Sequence, residues 1–356
     1  MVNLQKILKM NISQPIHNFT DQEDNLVWRF DHKKFATRTN KKQIYYEDQF
    51  TINRPVNDLY TETKFACKKI QKYCQENRLK IAVCMSGGLD SEAIVKTFLD
   101  CNIPIETFSI RYKNNLNFHD LQWQNIFCNQ HGIKSNYINF DIENWLSGEC
   151  DDLCQQYNIV SPVLSMYMWL AKKLENYFVI FGDGDVDIWK PHKSQPMCTY
   201  YEKYTAIPRF FLQNKIQGTP FFWAYTAELD YAFHFNDFSN KFIKDNDLNK
   251  TNNTRFHVKY KKQLFHKNFN CIDRPKFNGT EMIKKQFNDC VNRLKKKIDY
   301  VNATCHIPFD TIKSIREGKT QYQQCKWIDV EISDFNDLAK QRMLECGEPA
   351  VILVNR

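Results

Sequence analysis

Residues 83–98 read VCMSGGLDSEAIVKTF. An apolar run ends at Ser86, two glycines follow, and Asp90 and Ser91 open a stretch of helical periodicity. Glycines at the carboxyl end of a strand allow a sharp turn and a close backbone approach. Successive N–H groups there form a nest for an anion, and the helix N-terminus adds about half a positive charge. The hydroxyls of Ser86 and Ser91 add donors, so the residue types suit phosphate oxygens. The loop has neither the G-x-x-x-x-G-K-[ST] of a Walker A site nor the G-x-G-x-x-G of a dinucleotide fold. Asp90 does not fit a purely anion-binding loop; a divalent metal between its carboxylate and the phosphates removes the conflict.

Such a loop needs a parallel sheet behind it, and the flanking sequence carries the pattern. KIAVCM reads as a short buried strand, LDSEAIVKTFLDC as a helix, IETFSI as a strand and FHDLQWQNIFCNQHG as a helix closed by Gly132. KSNYINF is a strand, SPVLSMYMWLAKKLEN a helix with Ser161 as N-cap and Pro162 at its first position, and YFVIFG a strand. The alternation over 80–182 predicts an α/β fold, a parallel sheet with helices on both faces. Its ligand belongs at the carboxyl ends of the strands, where SGGLDS lies. Residues 57–77 carry apolar positions at helical spacing (Leu59, Phe65/Ala66, Ile70, Tyr73).

Outside this stretch the pattern changes. Residues 1–55 read as short strands, with NLVWRF, FATRT and QIYYEDQFTI as candidates. Beyond residue 200 helical stretches rich in Phe and Tyr dominate, including PFFWAYTAELDYAFHF and EMIKKQFNDCVNRLKKKI. The end of the chain reads strand–helix–strand: KWIDVEI, DFNDLAKQRMLEC, AVILVN. The expected division is a β-rich segment over 1–55, an α/β domain over 56–200, a helical region over 201–317 and a small appendage over 318–356.

Net charge is +8, and residues 241–300 alone hold 16 Lys/Arg against 6 Asp/Glu. That stretch is either a solvated basic face or a surface for a polyanion such as a nucleic acid. Thirteen cysteines are scattered through a chain without an export signal, so free thiols are expected. No two have C-x-x-C spacing; Cys150 and Cys154 come closest. Local spacing thus argues against a zinc knuckle, an iron–sulfur site or a redox pair, and leaves ligands from distant positions open. No run of residues is apolar and long enough for a membrane span, and a cytoplasmic location is expected.

S-G-G-x-D-S at the end of a first strand resembles the signature of the PP-loop ATP pyrophosphatases. Among them are asparagine synthetase, GMP and NAD synthetases, tRNA thiolases, lysidine synthase and the deazaguanine synthases. The resemblance implies that Ser86, Gly87, Gly88, Leu89, Asp90 and Ser91 grip pyrophosphate. It implies that adenine lies along the end of the second strand, at Ser109 and Ile110, and that Gly182 passes near the ribose and α-phosphate. ATP and Mg²⁺ are the implied cofactors. VIFGDGDVDIW is similar to the G-E-G-S-D-E segment of asparagine and β-lactam synthetases, whose acid shares Mg²⁺ with the loop aspartate. Without gaps, Asp183 falls on the family's glutamate and Val186 on its metal aspartate, so Asp185 or Asp187 is expected to serve with Asp90. An EF-hand reading of the same acids fails, because Ile188 replaces the required glycine and Ser194 the glutamate. The stretch 259–281 resembles the family's basic helix leading to R-P-K. It implies that Lys276, with Arg274 nearby, stabilises the transition state.

The likeness covers roughly 56–282. The glutaminase half of glutamine-dependent relatives, with its N-terminal cysteine, is not expected: residue 2 is Val and the N-terminal segment is short. The expected reaction is adenylation of a small-molecule acid followed by transfer to ammonia or another amine, with a separate glutaminase or amine-donor protein as a further partner. A nucleic-acid-modifying PP-loop enzyme, with its substrate at 241–300, and a non-catalytic nucleotide-binding protein are the alternatives. Glu228 reads as a helix-surface glutamate, with an acid/base role as the other reading. His192 and Lys193 are candidates for reaching pyrophosphate.

Overall fold

The computed structural model describes residues 52–355 except 53, 158, 184–186, 191–195, 202–205, 208–209, 212, 245–253, 272–279, 299–303, 318, 320–325 and 332–349. The strands expected within 1–55 and the helix expected inside 318–356 lie outside the described residues.

Helix α1 (Leu59–Asn77) begins where the Asp58 carboxylate accepts from Thr61 N and ends at Arg78 in the left-handed region. Its buried stripe of Leu59, Ala66, Cys67, Ile70 and Cys74 keeps the helical period. The expected alternation follows as β1 (Lys80–Cys84), α2 (Leu89–Asp100), β2 (Glu106–Tyr112), α3 (Phe118–Gln130) and β3 (Ser135–Phe140). A π-helical turn (Trp145–Glu149) leads into α4 (Asp151–Tyr157). Then come α5 (Pro162–Lys173), which Ser161 caps by accepting from Leu164 N, and β4 (Tyr177–Phe181). A two-residue strand β7 (Gly218–Thr219) completes the sheet, whose order is β3-β2-β1-β4-β7, every pair parallel. The chain runs from β1 outward to β2 and β3, then returns to β4 on the other side of β1. The carboxyl end of β1 is therefore the topological switch point.

Strand pleating divides the core in two. Ile81 and Val83 of β1 join Phe178 and Ile180 of β4 in one cluster with residues of α1, α2 and α3. Ala82 and Cys84 join Val179 and Phe181 in the other, with α4 and α5. The strands are apolar on both sides, as a sheet covered on both faces requires.

The remaining elements thicken these layers. PFFWAYTAELDYAFHF was expected as one helix, but only Ala227–His234 (α6) is α-helical. Phe221 is held as a β-bridge to Gly182, Phe222–Ala224 form one 3-10 turn, and Thr226 caps α6 by accepting from Leu229 N. Next are α7 (Asp237–Lys244), α8 (Phe256–Phe269) and α9 (Lys284–Lys297). α6 and α8 pack on the first cluster; α9 packs on the second.

A second sheet has no counterpart in the sequence reading. It takes β5 (Asp187–Lys190), β6 (Met197–Tyr201), β8 (Thr254–Arg255), β9 (Thr304–Pro308), β10 (Lys326–Glu331) and β11 (Ala350–Asn355), in the order β10-β11-β9-β6-β5-β8. A short helix α10 (Phe309–Arg316) follows β9 directly. All pairs are antiparallel except β10 with β11. KWIDVEI and AVILVN are thus paired strands, while the strands just after the GDGDVD segment belong with them rather than with the first sheet.

Candidate functional site

The loop after β1 is built by its glycines. Met85 is still in register with β2: its N–H donates to Phe108 O at 2.8 Å, and its carbonyl accepts from Ser109 Oγ. The chain then turns at Gly87, where φ is +72°. A Cβ there would meet the Asp120 carbonyl oxygen of α3 at 2.4 Å, so both the conformation and the space require glycine. Gly88 is the N-cap of α2 in extended conformation. Ser91 Oγ donates to Gly88 O at 3.1 Å and accepts from Ser86 N at 3.4 Å. This hydroxyl braces the loop from inside.

Gly182, just past β4, packs on the first turn of α2. A Cβ at 182 would lie 3.1 Å from Ser91 N and 3.4 Å from Asp90 Cβ. The ends of β1 and β4 are therefore locked together at the switch point. Asp183 follows and faces the same space, its carbonyl accepting from Trp223 N at 3.3 Å.

That space is a cavity of about 280 Å³. Ser86, Asp90, Ser91, Gly182 and Asp183 form its polar end. Ser109 and Ile110 of β2 line it, and Leu121, Val163, Met166 and Leu170 make its apolar body. A polar end that suits phosphates joined to an apolar slot is the shape a nucleotide needs. Tyr167 stacks on Phe181 with ring centroids 5.3 Å apart, and Tyr112 OH donates to Met166 Sδ. Burial pushes the Tyr167 hydroxyl well up, reinforced by the carboxylates of Asp183 and Asp90; burial and the Asp120 carboxylate act on Tyr112 likewise. Both phenols stay protonated donors in a field set by carboxylates.

Asp90 carries an ion pair absent from the sequence reading. Lys261 Nζ of α8 lies 2.7 Å from Asp90 Oδ1. The ammonium also sits 5.9 Å from the Phe233 ring and 5.7 Å from the Phe265 ring, so aromatic faces hold it against the acid. The Lys261 side chain is only 13% exposed, whereas its neighbour Lys262 is exposed. The only trace in the sequence is the run of lysines in KYKK; which of them turns inward depends on helix phase.

The described residues bring together Ser86, Gly87, Gly88, Leu89, Asp90, Ser91, Ser109, Ile110 and Gly182 around one loop and cavity. Of the expected metal acids, Asp187 lies at the start of β5, its backbone paired with Thr199, and Asp185 is outside the described residues. Asp183, aligned with a different family position, is the acid that shares the cavity with Asp90. Two carboxylates beside the SGGLDS loop are hard oxygen donors that fit Mg²⁺, and Asp90 already accepts one cation, the Lys261 ammonium. Lys276, Arg274, His192 and Lys193 lie outside the described residues. Glu228 corrects the reading of a surface glutamate: it is buried in the first turn of α6, because that helix is packed between α1 and the aromatic cluster of Trp223.

Residues 71–179 match the family model of asparagine synthase. No curated protein matches the chain. Among solved structures, the NAD+ synthetase of Burkholderia pseudomallei aligns at 15% identity and a TM-score of 0.27, over 37% of this chain and 55% of that one. The NMN synthetase of Francisella tularensis aligns at 13% identity and a TM-score of 0.33, over 68% of this chain and 97% of that one. The chain thus spans about half the length of the first.

Proposed function

We propose that this chain, whose residues 71–179 match the asparagine synthase family, is an ATP-dependent synthetase that adenylates a carboxylate and transfers it to ammonia or another amine. The observation that carries the reading is the joint at the switch point. Gly182 packed on the first turn of α2 gathers the SGGLDS loop, Asp90 and Asp183 around one cavity with an apolar slot.

In the proposed reaction a carboxylate oxygen of the acceptor attacks the α-phosphorus of ATP. The bond from that phosphorus to the bridging oxygen breaks and pyrophosphate leaves. The amine nitrogen then attacks the acyl carbon, AMP departs with the bonding pair of the acyl C–O bond, and the nitrogen loses a proton. Adenine rests on β2 at Ser109 and Ile110. Backbone N–H groups of residues 86–91 and the N-terminus of α2 receive pyrophosphate oxygens. Asp90 and Asp183 would hold Mg²⁺, which would neutralise phosphate charge. Lys261, 2.7 Å from Asp90 Oδ1, would supply positive charge beside the leaving pyrophosphate. Lys276 and Arg274 are retained, on the resemblance, as cations for the charge developing at phosphorus. The nitrogen source is free ammonia, another amine or a partner glutaminase.

Product analysis tests this reading. The protein is incubated with Mg²⁺ and ATP against a panel of amino and nucleotide acids, with and without ammonium. AMP and pyrophosphate forming with one acid, and an amide with ammonium, are expected. ADP and phosphate as the only products would sink it.

A further inference from the structure

Three thiols that the nucleotide cavity does not use meet inside the second core cluster. Cys150 follows the π-helical turn, Cys154 lies one helical turn further along α4, and Cys290 comes from α9, 140 residues away in sequence. All three are fully buried. Cys150 Sγ is 3.5 Å from Cys290 Sγ and 3.7 Å from Asp151 Oδ1. Ligand atoms of Cys150, Asp151 and Cys290 all fall within 4.8 Å of one another.

These separations have a geometric meaning. A disulfide needs its sulfurs about 2.05 Å apart. In a tetrahedral site with metal–sulfur bonds of about 2.3 Å and metal–oxygen bonds of about 2.0 Å, neighbouring sulfurs lie about 3.8 Å apart and a sulfur and an oxygen about 3.5 Å apart. The Cys150–Cys290 and Cys150–Asp151 distances sit near two edges of that tetrahedron.

Positive charge lies beside the thiols. Arg293 Nη2 donates to Cys290 Sγ at 3.4 Å, to Asp151 Oδ1 at 3.0 Å and to Leu146 O at 2.7 Å, while its Nε donates to Asp151 Oδ2 at 3.1 Å. Lys297 Nζ donates to Asp151 Oδ2 at 2.6 Å. Two cations therefore converge on one acid beside the Cys150 and Cys290 thiols. A divalent ion bound by two thiolates and a carboxylate leaves one negative charge, and Arg293 and Lys297 lie beside it. Outer donors of this kind orient ligands and tune the ion. The π-helical turn just before Cys150 is a backbone irregularity found often at functional positions.

We propose that Cys150 and Cys290, with Asp151 Oδ1, bind one thiophilic divalent cation of the zinc type, which clamps α9 to the segment 145–157. Each thiol gives up its proton as the ion binds. The site is separate from the nucleotide cavity and does not depend on the reading of that cavity.

Cobalt(II) reports on it, because sulfur-to-cobalt charge transfer absorbs strongly in the near ultraviolet. The full chain is stripped with a chelator under a thiol reductant and titrated with Co(II). One ion per chain with that absorption, displaced by Zn(II) and not by excess Mg(II), is expected. Cys150→Ser and Cys290→Ser should each weaken binding at least about 10-fold, and Cys128→Ser, at another buried thiol, should leave it unchanged. Zn(II) should also raise the wild-type Tm by several degrees, on the order expected of a ligand bound only by the folded state. No charge-transfer band in the wild type overturns the proposal, as does a band that survives in both variants. Ready oxidation of the native protein to a Cys150–Cys290 disulfide without metal uptake overturns it too. If the serine variants do not fold, the wild-type band, its stoichiometry and the Tm shift decide.

Discussion

Asp90 and Lys261 form one unit, the ammonium 2.7 Å from the carboxylate and backed by two aromatic rings. Asp90→Asn removes the proposed metal acid and should abolish pyrophosphate formation while leaving the fold intact, checked by circular dichroism. Lys261→Met keeps the apolar stem over Phe233 and Phe265 and removes only the charge. Its expected effect is a fall in kcat of about 10²–10³, the scale of one preorganised donor to developing charge. An unchanged kcat would leave Lys261 as a partner of Asp90 alone. Gly87→Ala tests the loop itself. The left-handed conformation costs a residue with a Cβ about 1–2 kcal/mol, and the 2.4 Å contact with Asp120 O adds to it. Nucleotide binding, read by equilibrium dialysis of ATP, should be lost before global stability.

Helix α1 is tied down at its start by Glu62, whose side chain has no exposed surface. Arg54 donates to both carboxylate oxygens at 2.7 and 2.6 Å, and Asn57 donates twice to Oε1. Burial alone would raise this carboxyl, but the bonds from Arg54 and Asn57 outweigh it and hold the group below its ordinary value of 4.5. A depressed folded value means the contribution is complete above about pH 4.5 and is lost as pH falls through the folded value. Wild-type Tm should therefore decline on acidification below pH 4.5, and Glu62→Gln should flatten that decline. At neutral pH the same change should cost about 3 kcal/mol, the lower end for a broken buried pair because Arg54 is partly exposed. At the joint of α6 and α8, Trp223 packs on Phe222, Phe233, Phe265 and Phe269. Trp223→Ala should destabilise by about 3–5 kcal/mol in denaturant unfolding. It should also lower activity in the native state, since Phe233 and Phe265 seat Lys261.

Across the whole molecule, part of the basic stretch 241–300 is engaged by other residues of the fold. Lys261 meets Asp90, Arg293 and Lys297 meet Asp151, and Lys267 lies over the Phe238 ring. α9 still exposes Lys284, Lys285, Lys295 and Lys296, so a polyanion partner for this face is a separate proposal. Charge reversal at Lys295 and Lys296 should then loosen retention on heparin without changing ATP cleavage, and retention should fall with salt. Among the described residues no helix is long and apolar enough to cross a membrane. The second sheet joins strands from either side of α8 and α9, so the expected boundary at residue 200 runs through paired strands, β6 with β9. Whether the regions fold as separate units is a question for limited proteolysis.

The sequence by itself determined the alternation of β1 to β4 with α2, α3 and α5, the caps at Ser161 and Gly132, and the loop of Gly87, Gly88 and Asp90. Each is written in local terms: a strand's apolar run, a helix's period, a residue without Cβ at a turn. Only the tertiary structure decided that Lys261 faces Asp90, that Asp183 shares its cavity, that Glu228 is buried, that β5 pairs away from the first sheet, and that Cys290 joins Cys150 and Cys154. These contacts link residues far apart in sequence. Pairing over such distances depends on which faces the packed elements turn toward one another, and no local periodicity records that choice.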